Sequence, residues 1–354
     1  MKQITLEEAI KGIVPADQEA CRIAKKRWDS IAKPLYSLGW MEDAVARIAG
    51  AQHTSQICTE KKILVPLCAD NGIVEEGVTQ TGQDVTAIVA ENFLDAKSCA
   101  AIICHQSGAD IFPVDIGMAV DTPRVEKRKV AYGTKNFAKE KAMTREQAVQ
   151  ALETGINLVG ELKEKGYSLI ATGEMGIGNT TTSSAVGASL LKLPAEQMTG
   201  RGAGLSDEGL RRKMQVIQDA MVRWNLTEQE PLEILSCVGG FDLGGMAGMF
   251  LGGAYFHVPI LIDGFISSVA ALLAVRMCPE AKGYMLATHV SKEFASRRVL
   301  EELGLPWMID GGLCLGEGSG AAAVFHLIEM ANVIYQEMST FEQIHVEAYQ
   351  PFSL

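Results

Sequence analysis

Three glycine-flanked segments concentrate the residues able to do chemistry. In Leu315-Gly316-Glu317-Gly318-Ser319-Gly320 one carboxylate stands between glycines, after an apolar run and before an apolar helix. A Glu partly withdrawn from water at such a turn holds its proton more tightly than usual, as a general base requires. The alternative role for Glu317 is a helix-start acid favoured by the helix dipole. In Ala171-Thr172-Gly173-Glu174-Met175-Gly176-Ile177-Gly178-Asn179-Thr180-Thr181-Thr182 a glycine-rich turn follows an apolar run and opens a helix. Free N–H groups and the positive end of a helix dipole there suit a phosphate or a ribose. A plain tight turn is the alternative. The spacing approaches a Walker loop, but Asn179 stands where that loop needs Lys, which argues against nucleoside triphosphate hydrolysis. The third cluster, Gly200-Arg201-Gly202-Ala203-Gly204-Leu205, precedes a helix starting near Ser206 and fails the dinucleotide spacing. Lys213, further into that helix, is either a phosphate counter-charge or, more simply on residues alone, a solvated surface lysine. Asp263 sits beside Gly264 and Asp242 lies between Gly240 and Gly244, each two residues away; an Asp there either caps a helix or meets ribose hydroxyls, and capping is the simpler role. The six histidines show no metal-ligand spacing, and no Gly-x-Ser-x-Gly elbow occurs. A metal site and a serine hydrolase are therefore not expected.

These segments need a frame, and the chain supplies one. Residues 1–60 read as helices. From Lys62 onward, short apolar runs end in an acid or a glycine and helical stretches follow. The runs are Ile63–Cys68 before Asp70, Ile111–Val114 before Asp115, Ser168–Thr172 before Gly173-Glu174 and Val258–Ile262 before Asp263. Tyr284–Ala287 before Thr288-His289 and Trp307–Ile309 before Asp310 complete them. Helical stretches are expected near 85–106, 145–165, 179–191, 206–223, 241–255, 265–277, 291–303 and 318–338. Strands alternating with helices imply a mainly parallel, doubly wound sheet covered on both faces. Ligands in such sheets sit beyond the carboxyl ends of the strands, which is where these acids and glycines fall. The polar stretch Asp121–Lys139 reads as a surface loop.

Composition narrows the function. The 354 residues carry a net charge of −11, so clustered cation for nucleic acid or anionic membrane is not expected. The apolar stretch Gly244–Phe265 is interrupted by His257, Pro259 and Asp263, which argues against a membrane span. The start carries acids where a signal peptide has its apolar core, and the eight cysteines are scattered; a cytoplasmic protein with reduced thiols is expected. The 35 glycines exceed the usual 7% or so and suggest backbone approaching a ligand.

Taken in order, Glu174–Thr181, Gly239-Gly240-Phe241-Asp242, Leu261-Ile262-Asp263-Gly264-Phe265 and Leu315–Gly320 make a set. The set resembles the nicotinate-nucleotide–dimethylbenzimidazole phosphoribosyltransferase family, and the likeness runs from Lys33-Pro34 to the helix after Gly320. The resemblance implies an α/β domain over 61–325 and a small helical domain built from 1–60 and 326–354, in a dimer. It implies transfer of phosphoribose from nicotinate mononucleotide to an aromatic lower-ligand base of cobamides, with nicotinate leaving. The product is an α-riboside phosphate. By resemblance Glu317 is the general base, and Glu174 contacts the ribose. Gly176, Gly202, Lys213 and Ser291 surround the phosphate, while Gly178, Asn179, Thr180, Asp242, Asp263 and Gly264 line the same pocket. No metal or cofactor is implied, since nicotinate mononucleotide is a substrate.

Three regions depart from the family pattern. Tyr36 intrudes after Lys33-Pro34, and Asn71 follows Asp70 where His is usual. On the acceptor side, Thr81-Gly82 and Val89 replace a Ser-Pro pair and a Gln. Loss of a polar partner for a ring nitrogen weakens discrimination for benzimidazole. The same reaction with a phenol or p-cresol acceptor, in a pair of homologous subunits, is therefore the second expectation. A non-catalytic subunit completing a partner's site is the third, and the presence of both Glu174 and Glu317 argues against it. At the level of fold alone, a nucleotide-binding oxidoreductase is a further alternative, disfavoured by the glycine spacing.

Overall fold

The computed structural model describes residues 2–202 and 204–349. Ala203 of the third glycine cluster and residues 350–354 of the C-terminal segment lie outside that range. The frame is one eight-stranded sheet in the order β4-β3-β1-β5-β6-β7-β8, with β2 also paired to β1. The strands are β1 (Lys62–Ala69), β2 (Asp110–Ile111), β3 (Val114–Gly117), β4 (Glu126–Lys127), β5 (Leu169–Met175), β6 (Ile260–Ile262), β7 (Met285–His289) and β8 (Trp307–Ile309). Every pairing is parallel. The helices are α1 (Leu6–Gly12), α2 (Gln18–Ser30), α3 (Trp40–Gln52), α4 (Asp84–Leu94), α5 (Cys99–Gln106), α6 (Arg145–Glu164) and α7 (Asn179–Leu191). They continue with α8 (Asp207–Arg223), α9 (Pro231–Val238), α10 (Phe241–Phe256), α11 (Phe265–Met277), α12 (Ser296–Leu303) and α13 (Ser319–Glu337).

The apolar runs are unbroken because both faces of the sheet are covered. Along β1, Ile63, Val65, Leu67 and Ala69 join the core beneath α6, α10 and α11. Leu64 and Cys68 point the other way, into a core shared with α3 and α13. The expected doubly wound parallel fold is what forms. The chain ends meet, with Ala32 N–H donating to Ser339 O at 2.9 Å and Phe341 N–H to Ser30 O at 3.1 Å. Beside that junction, Lys33 and Glu42 form a buried ion pair at 2.7 Å, which accounts for the lysine of the Lys33-Pro34 motif. The α13 helix runs unbroken through residue 325, where the sequence reading draws a domain boundary.

Some local expectations need correction. The stretch near 85–106 is two helices: Ala96 turns left-handed at φ 53°, and Ser98 restarts the chain by accepting from Ala101 N–H. The helix expected near 291–303 begins only at Ser296. The polar stretch 121–139 holds β4, tied down by buried Val125 and Phe137 and by Arg128 bridging Glu126 and Glu161. The α9 helix went unread, although Pro231 at its first turn is a usual start signal. Part of the glycine excess serves packing rather than ligand. A Cβ on Gly248 of α10 would collide with the Leu152 backbone of α6, so the small residue lets two helices touch. No helix among the described residues is long and apolar enough to cross a membrane.

Candidate active site

The carboxyl ends of β5, β6 and β7 and the turn before α13 surround a cleft of about 310 Å³. Glu174 is the penultimate residue of β5 and is nearly buried. Asn179, the first residue of α7, donates through Nδ2 to Glu174 Oε2 and, at 3.2 Å, to Asp242 Oδ2. One amide thus holds two carboxylates in a dry region. Burial comes first, then the charges of Asp242 and Asp263, in pushing Glu174 up to about 8. Burial likewise pushes Asp242 up to about 7. Both groups favour a proton, or a neighbouring positive charge, far more than carboxylates in water do.

Glu317 sits at φ 63° between Gly316 at φ 85° and Gly318 at φ 84°. Three successive left-handed residues make a turn that only the flanking glycines permit, and Glu317 itself carries backbone strain. The turn is pinned from two sides. The Glu317 N–H donates to Glu174 Oε1 at 3.3 Å. Asp263, just past β6, accepts from Gly318 N–H at 3.3 Å and Ala321 N–H at 2.9 Å. Asp263 therefore caps α13 and also lines the cleft, so the two roles weighed for it coexist. Burial raises the Glu317 pKa, the Ala100 N–H opposes, and the Asp263 charge adds to the rise. Its Oε2 is buried without a hydrogen-bond partner among the described residues. A carboxylate with an idle, desolvated oxygen is equipped to take a proton.

On the other side of the cleft, Gly176, Asn179 and Thr180 at the start of α7 face Gly202, Gly264 and Ser291. Lys213 is not solvated: it is 1% exposed, with Nζ donating to Thr180 Oγ1 at 2.9 Å and Gly200 O at 3.3 Å. Burial pulls its pKa down to about 8, with the Glu293 charge opposing. A buried ammonium bonded only to neutral oxygens is a ready counter-charge for an anion. The reading of Lys213 from residues alone as a surface lysine is corrected here.

The remaining nominated residues divide. Asp242 is fully buried behind the cleft, hydrogen-bonded to Asn179 and packed behind Gly176. Gly178 and Thr81 line a recess of about 90 Å³ beside it, with Gly176, Ile177, Asn179 and Thr180 shared between the two spaces. Val89 faces neither space and packs on the core beneath α3 and α13. Asn71 donates to Ile177 O at 3.4 Å, and Thr86 accepts from Ile177 N–H at 3.2 Å while donating to Asp70 Oδ1 at 2.6 Å. Residues at the end of β1 thereby hold the wall between the two spaces. Phe265, His289, Glu293, Cys314 and Leu315 also line the cleft and were not singled out by sequence. His289 closes β7, and its position at a strand end was the one available signal.

An idle, enclosed proton acceptor facing an anion-sized cradle is the equipment of an α/β group-transfer enzyme acting on a phosphorylated sugar. The chain belongs to the phosphoribosyltransferase family, whose model matches residues 13–346. A relative from Acetivibrio thermocellus, called nicotinate-nucleotide–dimethylbenzimidazole phosphoribosyltransferase, is 45% identical over 348 residues, covering 98% of this chain and 99% of its own length. A protein of the same name from Ruminiclostridium cellulolyticum is 44% identical over 350 residues, covering 98% and 99%. Among solved structures, the nicotinate-nucleotide–dimethylbenzimidazole phosphoribosyltransferase of Thermus thermophilus is similar with a TM-score of 0.87 and 36% identity, over 94% of this chain and 99% of that one.

Proposed function

We propose that this phosphoribosyltransferase moves the phosphoribosyl group of nicotinate mononucleotide to a ring nitrogen of 5,6-dimethylbenzimidazole or a related aromatic base. The observation that carries the reading is Glu317, strained, half-desolvated and with an unpartnered oxygen, opposite the Gly176–Lys213 cradle. In the transfer, the C1′–N bond of the donor breaks and its electron pair neutralises the pyridinium, releasing nicotinate. The lone pair of the unprotonated ring nitrogen forms the new bond to C1′ from the opposite face, and the proton on the other ring nitrogen passes to Glu317. The balance closes without a cofactor. Gly176, Gly202, Lys213 and Ser291 take the phosphate; Glu174, Asn179, Thr180 and Gly264 take the ribose. Asp263 positions the Glu317 turn. Anionic Glu174, backed by Asp242, favours the positive charge that the donor carries and that the sugar develops as the bond breaks. Holding the two substrates face to face is worth up to roughly 7–11 kcal/mol.

Lys213→Met tests the phosphate assignment. A charge-assisted hydrogen bond of about 1.5–3 kcal/mol is lost, so KM for nicotinate mononucleotide rises roughly 10- to 100-fold while kcat changes little. The wild-type KM rises above pH 8, as Lys213 with its pKa near 8 gives up its proton, and the variant loses that dependence. An unchanged KM would remove Lys213 from the donor site.

The acceptor is tested by competition. Purified chain is given nicotinate mononucleotide with equimolar 5,6-dimethylbenzimidazole and p-cresol, and products are identified by mass. A benzimidazole riboside is expected, with Thr81 and Val89 as tolerated departures. A cresol riboside would move the acceptor to a phenol. No product from the chain alone would call for a homologous partner subunit; the mass of the native assembly then separates a homodimer from a mixed pair.

A further inference from the structure

His289 belongs to no role assigned above. It ends β7, is 3% exposed and lines the cleft. Its proton position follows from its neighbours. The Thr288 hydroxyl donates its one hydrogen to Ile262 O at 2.7 Å. The 3.2 Å contact between Thr288 Oγ1 and His289 Nδ1 then requires the proton on Nδ1. Nδ1 also lies 4.0 Å from Asp263 Oδ1. Nε2 is left on the other side, bonded to no described residue. The ring is clamped in place: a methyl on Gly320 would fall inside the imidazole, and a methyl on Gly264 would stand 3.6 Å from both Nε2 and the Ser291 Cβ. Nε2 thus lies over the Gly264 backbone beside Ser291.

The charge around it is one-sided. The cleft lining holds the carboxylates of Glu174 (β5), Asp263 (after β6), Glu293 (after β7) and Glu317 (before α13), and no Lys or Arg among the described residues. Lys213 on α8 stands behind Thr180. Nicotinate mononucleotide brings two anionic groups, a phosphate and a carboxylate. His289 is the lining residue able to add a positive charge to meet one of them.

We infer that His289 recognises an anionic oxygen of the donor through Nε2, taking up a second proton as the donor binds. With Nδ1–H held toward Thr288 and Asp263, the added proton goes to Nε2, which donates to the phosphate or carboxylate oxygen. Asp263 then faces the imidazolium on one side and caps α13 on the other, linking donor recognition to the Glu317 turn. The inference rests on nicotinate mononucleotide being the donor.

Binding of three compounds to wild type and His289→Leu, by calorimetry at pH 7, tests it. They are nicotinate mononucleotide, nicotinamide mononucleotide, which lacks the carboxylate, and nicotinate riboside, which lacks the phosphate. The variant is expected to lose roughly 10- to 100-fold in affinity for nicotinate mononucleotide, as for one charge-assisted contact. One analogue is spared: the riboside if the partner is the phosphate, the nicotinamide compound if it is the carboxylate. Equal loss for all three would place the ring against ribose hydroxyls and overturn the inference, as would no loss. If the leucine variant does not fold, Thr288→Val, which removes the acceptor from Nδ1–H and keeps the ring, is expected to weaken the same compounds. Uniform affinities in that variant overturn the inference. A wild-type chain that binds none of the three overturns the donor reading itself.

Discussion

Glu317→Ala binds nicotinate mononucleotide with near wild-type affinity and turns it over roughly 10²- to 10⁴-fold more slowly, the usual worth of a positioned general base. The split follows from where Glu317 stands. Its side chain bonds nothing in the donor cradle, and its Oε2 is idle until an acceptor proton arrives. Its contact to Glu174 is made by the backbone N–H, which alanine keeps. Alanine also tolerates the left-handed turn no worse than glutamate does. Affinity is read by calorimetry and turnover by nicotinate release at saturating acceptor. Full turnover in this variant would remove Glu317 as the base. Loss of donor binding would mean that the residue holds the turn rather than the proton.

Glu174→Gln makes the protein more stable and less active, and the stability gain grows with pH. In the folded chain, burial and the Asp242 charge move Glu174 from an ordinary 4.5 up to about 8. A group whose folded pKa is raised stabilises the fold fully below its unfolded pKa. That contribution disappears as pH climbs through the folded value. Each tenfold change in proton affinity is about 1.4 kcal/mol, so the ionised carboxylate costs on the order of a few kcal/mol above pH 8. Glutamine never ionises. The melting temperatures of variant and wild type therefore lie close at pH 5 and several degrees apart at pH 9, with the variant higher. Activity falls about 100-fold, because the charge that destabilises the empty site is the one that favours the cationic sugar. Parallel melting curves across that range would show that Glu174 is not desolvated.

What could be read from the sequence depended on how local its cause was. The glycines around Glu317 announce a turn within six residues, and the turn is there, with Gly316, Glu317 and Gly318 all left-handed. Apolar runs stopping at Asp70 and Asp263 mark strand ends, whereas Glu174 lies within the last two residues of β5 and Asp115 is the second residue of β3, because a buried carboxylate with partners does not stop a strand. Lys213 reads as a solvated lysine on residues alone, although it falls four residues before Ile217 on the buried face of α8; what its charge meets there, Thr180 and Gly200, comes from other segments. The resemblance, not the pattern, placed it. His289 was hidden for a similar reason, since Thr288, Asp263 and Gly320 act on it from three separate segments. The β4 strand is two polar residues paired at an edge, too short for any periodicity. The break between α4 and α5 was readable at Ser98, whose side chain caps the second helix.

The central claim is that acceptor and donor meet in this cleft and exchange one phosphoribosyl group with inversion at C1′. The most direct measurement is the proton NMR spectrum of a reaction of the purified chain with β-nicotinate mononucleotide and 5,6-dimethylbenzimidazole. The account predicts nicotinate and an α-riboside phosphate appearing in equal amounts. A β-riboside would contradict attack from the face opposite the leaving group, and nicotinate released without any riboside would contradict transfer itself.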